Sequence, residues 1–160
     1  MPRTRRYRLS STWLLAAPLE RCWDVLADPA MSWPTWWPGV RASDVHPQPD
    51  LVASRAHVEF RAPSAYVLRL DLTVASADPP RQVVLSTAGD LVGSAHVDLE
   101  AVEPVAPTAL TQVRVDWDVQ TTVRWMNILG PALARPFAAS HAAVMRAGER
   151  GLTQYLIDEP

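Results

Sequence analysis

Few residues of this 160-residue chain have a type and spacing that could support chemistry, and His141 is the best placed of them. It falls on the apolar stripe of a predicted C-terminal helix, where an imidazole could donate to a ligand carbonyl or shuttle a proton. The alternative is that it only bonds a tryptophan or a backbone carbonyl, because buried polar groups are usually satisfied internally. Both interpretations place His141 on the inner side of the fold.

Arg124 is the second candidate, because it stands beside Trp125 at the end of the last predicted strand. A guanidinium in that position could lie at the mouth of a cavity and pair with an acidic group of a ligand. It could equally form a surface ion pair or stack on the neighbouring indole. We therefore commit neither His141 nor Arg124 to a catalytic role, and both remain candidates.

Other kinds of site lack the residues that they need. The four histidines are isolated in the sequence, and none shares an element with a second ligand at metal-binding spacing. A Gly-x-Ser-x-Gly elbow, a dinucleotide fingerprint and a phosphate loop are all missing from the sequence. All fifteen basic residues are arginines, so no lysine is present to form a Schiff base. We predict neither a metal site nor a cofactor.

Net charge and the first residues bear on partners and compartment. A net charge of −2 gives no general attraction to nucleic acid or anionic lipid, so we expect no nucleic-acid binding and no stable membrane association. Arg5-Arg6 imitates a twin-arginine export signal, but the apolar run at 13–17 is shorter than the roughly seven to fifteen residues required. We expect a cytoplasmic protein that is a monomer or a homodimer.

Hydrophobic periodicity predicts one strand, two short helical segments, a long series of strands and a final helix. Pro18 and Pro136 each stand where a helix could begin, since proline is welcome in the first turn. Gly148 and Gly151 weaken the last helix by about 1 kcal/mol each relative to alanine, and we expect their small size to allow close approach to the sheet. The predicted elements are a strand at 7–15, a helix at 18–27, a helical turn at 33–37, strands between 40 and 120, a helical piece at 127–131 and a helix at 136–157.

The predicted sheet is too wide for one helix to cover. Each strand alternates apolar and polar residues, which is typical of an antiparallel sheet with one solvated face. A helix about 10 Å wide cannot cover a seven-stranded sheet roughly 30 Å across, so the sheet must curl and leave a space. Side chains could fill that space, or a ligand could, with Trp36 or Trp37 closing it. The predicted ligand-binding residues are Trp36, Trp37, Phe60, Leu70, Leu85, Val97, Trp117, Phe137, His141 and Met145.

Four segments carry a resemblance to a known family: Ala17–Pro29, Trp33–Val40, Ala88–Gly93 and Ser140–Leu152. They resemble the START-like superfamily of helix-grip proteins, whose bacterial members are called polyketide cyclase/dehydrase or SRPBCC proteins. The resemblance implies an α+β fold, in which a curved seven-stranded antiparallel sheet wraps round a long C-terminal helix and two short helices follow strand 1. We expect one domain over residues 1–160, with residues 1–6 flexible.

What the resemblance implies for function is broad, because the superfamily includes lipid carriers, polyketide aromatase/cyclases, hormone receptors and co-chaperones. The dry face carries no pair of carboxylates, which favours binding of a small hydrophobic molecule such as a lipid, an isoprenoid or a polyketide-like compound. The alternative is a polyketide cyclase/dehydratase-type enzyme that uses the same cavity. A third hypothesis is a protein-interaction or co-chaperone module. The sequence leaves open whether the protein is an enzyme.

Overall fold

The computed structural model describes residues 4–63 and 66–159. Within these ranges, seven strands form one antiparallel sheet, and four helices accompany it. The elements in chain order are β1 (Arg6–Leu15), α1 (Leu19–Leu26), α2 (Trp33–Trp36), β2 (Val40–His46), β3 (Arg55–Arg61), β4 (Val67–Asp78), β5 (Gln82–Gly89), β6 (Leu91–Val105), β7 (Thr108–Thr121), α3 (Arg124–Ile128) and α4 (Gly130–Asp158).

The sheet is a meander from β2 to β7, and β1 joins it beside β7 at the other edge. Its register places apolar residues opposite one another, so that Val74, Leu85, Ala95, Trp117 and Leu9 form a row across five strands. Because side chains alternate between the two faces of a strand, this register collects the apolar set on the side that α4 covers. The curved seven-stranded sheet, the long C-terminal helix and the two short helices after strand 1 were predicted, and the structure confirms them.

The start of the last helix was predicted wrongly. It begins at Gly130 instead of Pro136, and Pro136 lies inside it. Two prolines could each have opened this helix, and Pro131, in the first turn, is the one that does. Pro136 therefore costs α4 a hydrogen bond, since it has no N–H to donate to the carbonyl of Ala132.

The segment before α4 also differs from the prediction. β7 ends at Thr121, and the helical piece expected at 127–131 is α3, which begins at Arg124. Arg124 therefore opens a helix instead of ending the last strand. The flexible segment expected at residues 1–6 lies partly outside the described residues, which begin at Thr4. The hydroxyl of Thr4 donates to Oε1 of Gln120, and the backbone N–H of Arg5 donates to Asn127 Oδ1 at 2.9 Å.

Gly148 and Gly151 on α4 make their closest approach to residues 33–37, which we call the tryptophan turn, and not to the sheet as expected. A Cβ placed on Gly148 would lie 2.5 Å from Cε2 of Trp37, and one on Gly151 would collide with the backbone carbonyl of Trp36. The Cβ on Gly148 would also lie 2.9 Å from Cζ2 of Trp13 on β1. The smallness of both residues lets α4 hold the tryptophan turn against the end of the sheet.

Candidate ligand cavity

A cavity of about 370 Å³ lies between the sheet and the N-terminal half of α4. The strands expose apolar side chains to it because their inward positions alternate with solvated ones. Helix α3 closes one side, and α4 supplies a polar pair, Ser140 and His141. We call this space the His141 cavity; the residues that line it include Phe60, Leu70, Leu91, Trp117, Val119, Met126, Phe137, Ser140, His141 and Met145.

A smaller pocket of about 70 Å³ lies further along the strands, towards α1, α2 and the β2–β3 turn. We call it the Trp13 pocket; its lining includes Trp13, Leu26, Met31, Trp37, Leu72, Leu85, Val97 and Val115. Phe60, Trp117 and Met145 line both spaces. These three side chains therefore form the boundary between the two.

Nine of the ten residues predicted from the sequence line one or both of these spaces. Phe60, Leu70, Trp117, Phe137, His141 and Met145 line the His141 cavity, whereas Trp37, Leu85 and Val97 line the Trp13 pocket. Trp36 lines neither: it is buried and stacks on Trp37, with the ring centroids 5.5 Å apart. Arg124, the other chemical candidate, is exposed at the start of α3 and does not line either space.

The contributions of α3 and of Ser140 were not predicted. Met126 is 3% exposed and lines the His141 cavity, and Trp125 lines it while remaining partly in solvent. The signal was the apolar pair Trp125-Met126, which follows Arg124, the residue placed at the end of the last predicted strand. Ser140 could have been found from its position next to His141 on the same helix.

His141 is held as a neutral imidazole. Burial lowers its pKa from 6.5 to about 4, because desolvation penalises the charged ring. Its Nε2 is buried and has no hydrogen-bond partner among the described residues, so the internal bond considered from the sequence does not form at that atom. A neutral imidazole offers one donor and one acceptor. At neutral pH His141 can therefore bond a carbonyl or a hydroxyl, or accept a proton.

Trp117, which lines this cavity and the Trp13 pocket, carries a second unpartnered polar atom. Its Nε1 is also buried without a partner among the described residues, and an indole N–H can only donate. No carboxylate occurs among the described residues that line the His141 cavity, so a mechanism with paired acids has no components there. The lining of the cavity thus combines an apolar wall with two side chains that each carry a buried polar atom without a partner among the described residues.

Metal chemistry finds no support in the part of the chain that the structure describes. No three or more His, Cys, Asp or Glu side chains in it are grouped so that they could hold a metal ion. His57, which does contact a carboxylate, lies on the outer side of the sheet with Nδ1 2.8 Å from Asp71 Oδ1. In the same part of the chain, no helix has the length and apolar character needed to cross a membrane.

Comparisons with known proteins agree with this geometry. A family model described as polyketide cyclase / dehydrase and lipid transport matches residues 6–156. No curated protein matches the chain. Among solved structures, the ZhuI aromatase/cyclase from Streptomyces sp. R1128 is 15% identical with a TM-score of 0.68, covering 95% of this chain and 94% of that one.

Two further structures share the fold. A START superfamily protein from Mycobacterium smegmatis is 15% identical with a TM-score of 0.66, over 96% of this chain and 99% of that one. The di-domain ARO/CYC BexL from the BE-7585A biosynthetic pathway is 18% identical with a TM-score of 0.66. The match covers 97% of this chain and 51% of BexL, so the chain spans about half of that protein. This chain belongs to the polyketide cyclase/dehydrase and lipid transport family.

Proposed function

We propose that the protein binds a small, uncharged hydrophobic molecule in the His141 cavity. The observation that carries the proposal is a cavity of about 370 Å³ with a mostly apolar wall, whose lining residues His141 and Trp117 each carry a buried polar atom without a partner among the described residues. Ligand pockets typically have about 300–1,000 Å³ and this same mixture of surfaces.

The chemistry of the lining favours a ligand with one oxygen acceptor on an apolar body. A charged ligand would be buried without a counter-charge, which is costly. A carbonyl or hydroxyl oxygen could accept from Nε1 of Trp117 and bond His141, so that both groups gain a partner. Lipids, isoprenoids and polyketide-like compounds all include molecules of this kind.

Filling the cavity should abolish binding. Ser140 lines the His141 cavity, whereas its neighbour Ala139 is exposed. We expect Ser140→Trp to raise the Kd for the neutral dye N-phenyl-1-naphthylamine at least about tenfold, a loss of about 1.4 kcal/mol. Ala139→Trp adds the same side chain outside the cavity and should bind as the wild type does. Fluorescence titration measures both, after circular dichroism has shown that both are folded. Equal binding by folded Ser140→Trp would refute the proposal.

A second candidate, a cyclase/dehydratase-type enzyme, is favoured by one observation. His141 lines the cavity as a neutral imidazole, and its Nε2 has no hydrogen-bond partner among the described residues. It could move a proton on a bound chain, while the cavity wall sets the fold of that chain. Mass spectrometry of the product distinguishes the two functions. An enzyme of this type would remove water from a linear poly-carbonyl thioester, and the His141→Phe variant would lose this activity. A binder would return the compound unchanged.

A further inference from the structure

Three large apolar side chains stand in solvent where α3 meets α4. Ile128 is 73% exposed, Leu129 50% and Trp125 45%. Their spacing of three and four residues puts them on one side of this short helical segment. We call them the α3 tip. Trp125 and its neighbour Met126 also line the His141 cavity, so the α3 tip borders that cavity.

The sequence on both sides of the α3 tip carries positive charge only. Between residues 119 and 145 it has no Asp or Glu, and it contains Arg124 and Arg135. Arg124 and Arg135 are exposed, and neither forms an ion pair within the described ranges 4–63 and 66–159. Asp90 brings one negative charge near α3: its backbone carbonyl accepts from the N–H of Thr122 at 3.0 Å, and its carboxylate accepts from the backbone N–H of Arg69 at 2.9 Å.

We propose that the α3 tip docks reversibly on the surface of an anionic lipid bilayer. Aliphatic and indole side chains enter the boundary between headgroups and acyl chains, and arginines beside them attract anionic headgroups by about 1 kcal/mol each. A stable protein interface needs about 800 Å² from each partner, whereas three partly exposed side chains offer a few hundred at most. The net charge of −2 keeps the binding weak, which agrees with the absence of stable membrane association expected from the sequence.

This proposal goes beyond ligand binding, because it gives the α3 tip a function of its own. An apolar ligand is concentrated in membranes, and docking beside the His141 cavity would let it enter or leave without crossing water. The docking itself needs no ligand. Its failure can therefore be told apart from failure of the proposed function by measuring dye binding on the same variants.

Vesicle flotation tests the docking, with Ile128→Asp as the variant and Ile157→Asp as its matched control. Ile157 is 67% exposed at the opposite end of α4, so the two changes are alike in chemistry and exposure. We expect the wild type to float with vesicles of phosphatidylcholine and phosphatidylglycerol, and to float less with phosphatidylcholine alone or at high salt. Ile128→Asp should lower the bound fraction severalfold, whereas Ile157→Asp should leave it unchanged.

Three results would overturn the proposal. The first is failure of the wild type to float with the anionic vesicles, and the second is flotation of Ile128→Asp equal to that of Ile157→Asp. The third is a dimer in light scattering that Ile128→Asp dissociates, which would assign the α3 tip to a contact between two copies of the chain. Unchanged dye binding in Ile128→Asp would show that the His141 cavity is intact in each case.

Discussion

Replacing Trp37 with alanine is expected to lower the free energy of unfolding by about 3–5 kcal/mol. The Trp37 ring stacks on Trp36 and meets Trp13 and Phe60 edge-on, with centroids 5.4–5.5 Å apart in the three pairs. Its Nε1 donates to the backbone carbonyl of Val144 on α4 at 3.0 Å. Alanine would lose all of these contacts and leave a cavity where α2, α4 and the sheet meet.

Denaturant unfolding measures this loss, and Trp125→Ala is the control. Trp125 is 45% exposed whereas Trp37 is 5% exposed, so removing the Trp125 indole should cost much less. Trp37→Phe keeps a ring and should fall between the wild type and Trp37→Ala. A cost for Trp37→Ala no greater than that for Trp125→Ala would contradict the packing described here.

Acidification is expected to destabilise the protein through His141 by about 3 kcal/mol. The pKa of His141 is about 4 in the folded protein and 6.5 as the ordinary value, so the unfolded chain takes up the proton first. The contribution of His141 is therefore fully present above about pH 6.5. It is lost progressively as the pH falls to about 4, and below that value the loss is complete.

The measurement compares the wild type with His141→Phe by denaturant unfolding at several pH values across this window. Carboxylates titrate in both proteins, so the difference between the two unfolding free energies isolates His141. That difference should shift steadily in favour of His141→Phe as the pH is lowered. A difference that stays constant with pH would mean that the imidazole is not held neutral by burial.

The strands could be predicted because alternation in the sequence reports burial directly. Four buried side chains on β3 and β4 are each separated from the next apolar position by one polar residue: Val58, Phe60, Leu70 and Leu72. The helix boundaries could not be predicted as well. Proline at 131 or 136 satisfies the same local rule, and only tertiary packing selects between them.

The site was predictable on its sheet side and on the face of α4 that carries Phe137, His141 and Met145. The tryptophan turn was harder, because Trp36 ends a helix of four residues and Trp37 follows it directly, and only the packed structure shows which one faces a pocket. The boundary between the two spaces could not be predicted. It depends on how side chains from three separate elements meet, and periodicity describes each element alone.

The chain contains four methionines, and three of them report on the two spaces. Met126 lines the His141 cavity, Met145 lies on the boundary and Met31 lines the Trp13 pocket, whereas Met1 lies outside the described residues. Methyl-labelled methionine gives one NMR signal for each of them, and single Met→Leu variants assign these signals.

Titration with N-phenyl-1-naphthylamine tests the central claim that the His141 cavity is the ligand site. We predict saturable shifts of the Met126 and Met145 methyl signals, with the Met31 signal unmoved. Saturation by the dye that shifts only Met31, or shifts none of the three, would contradict that claim.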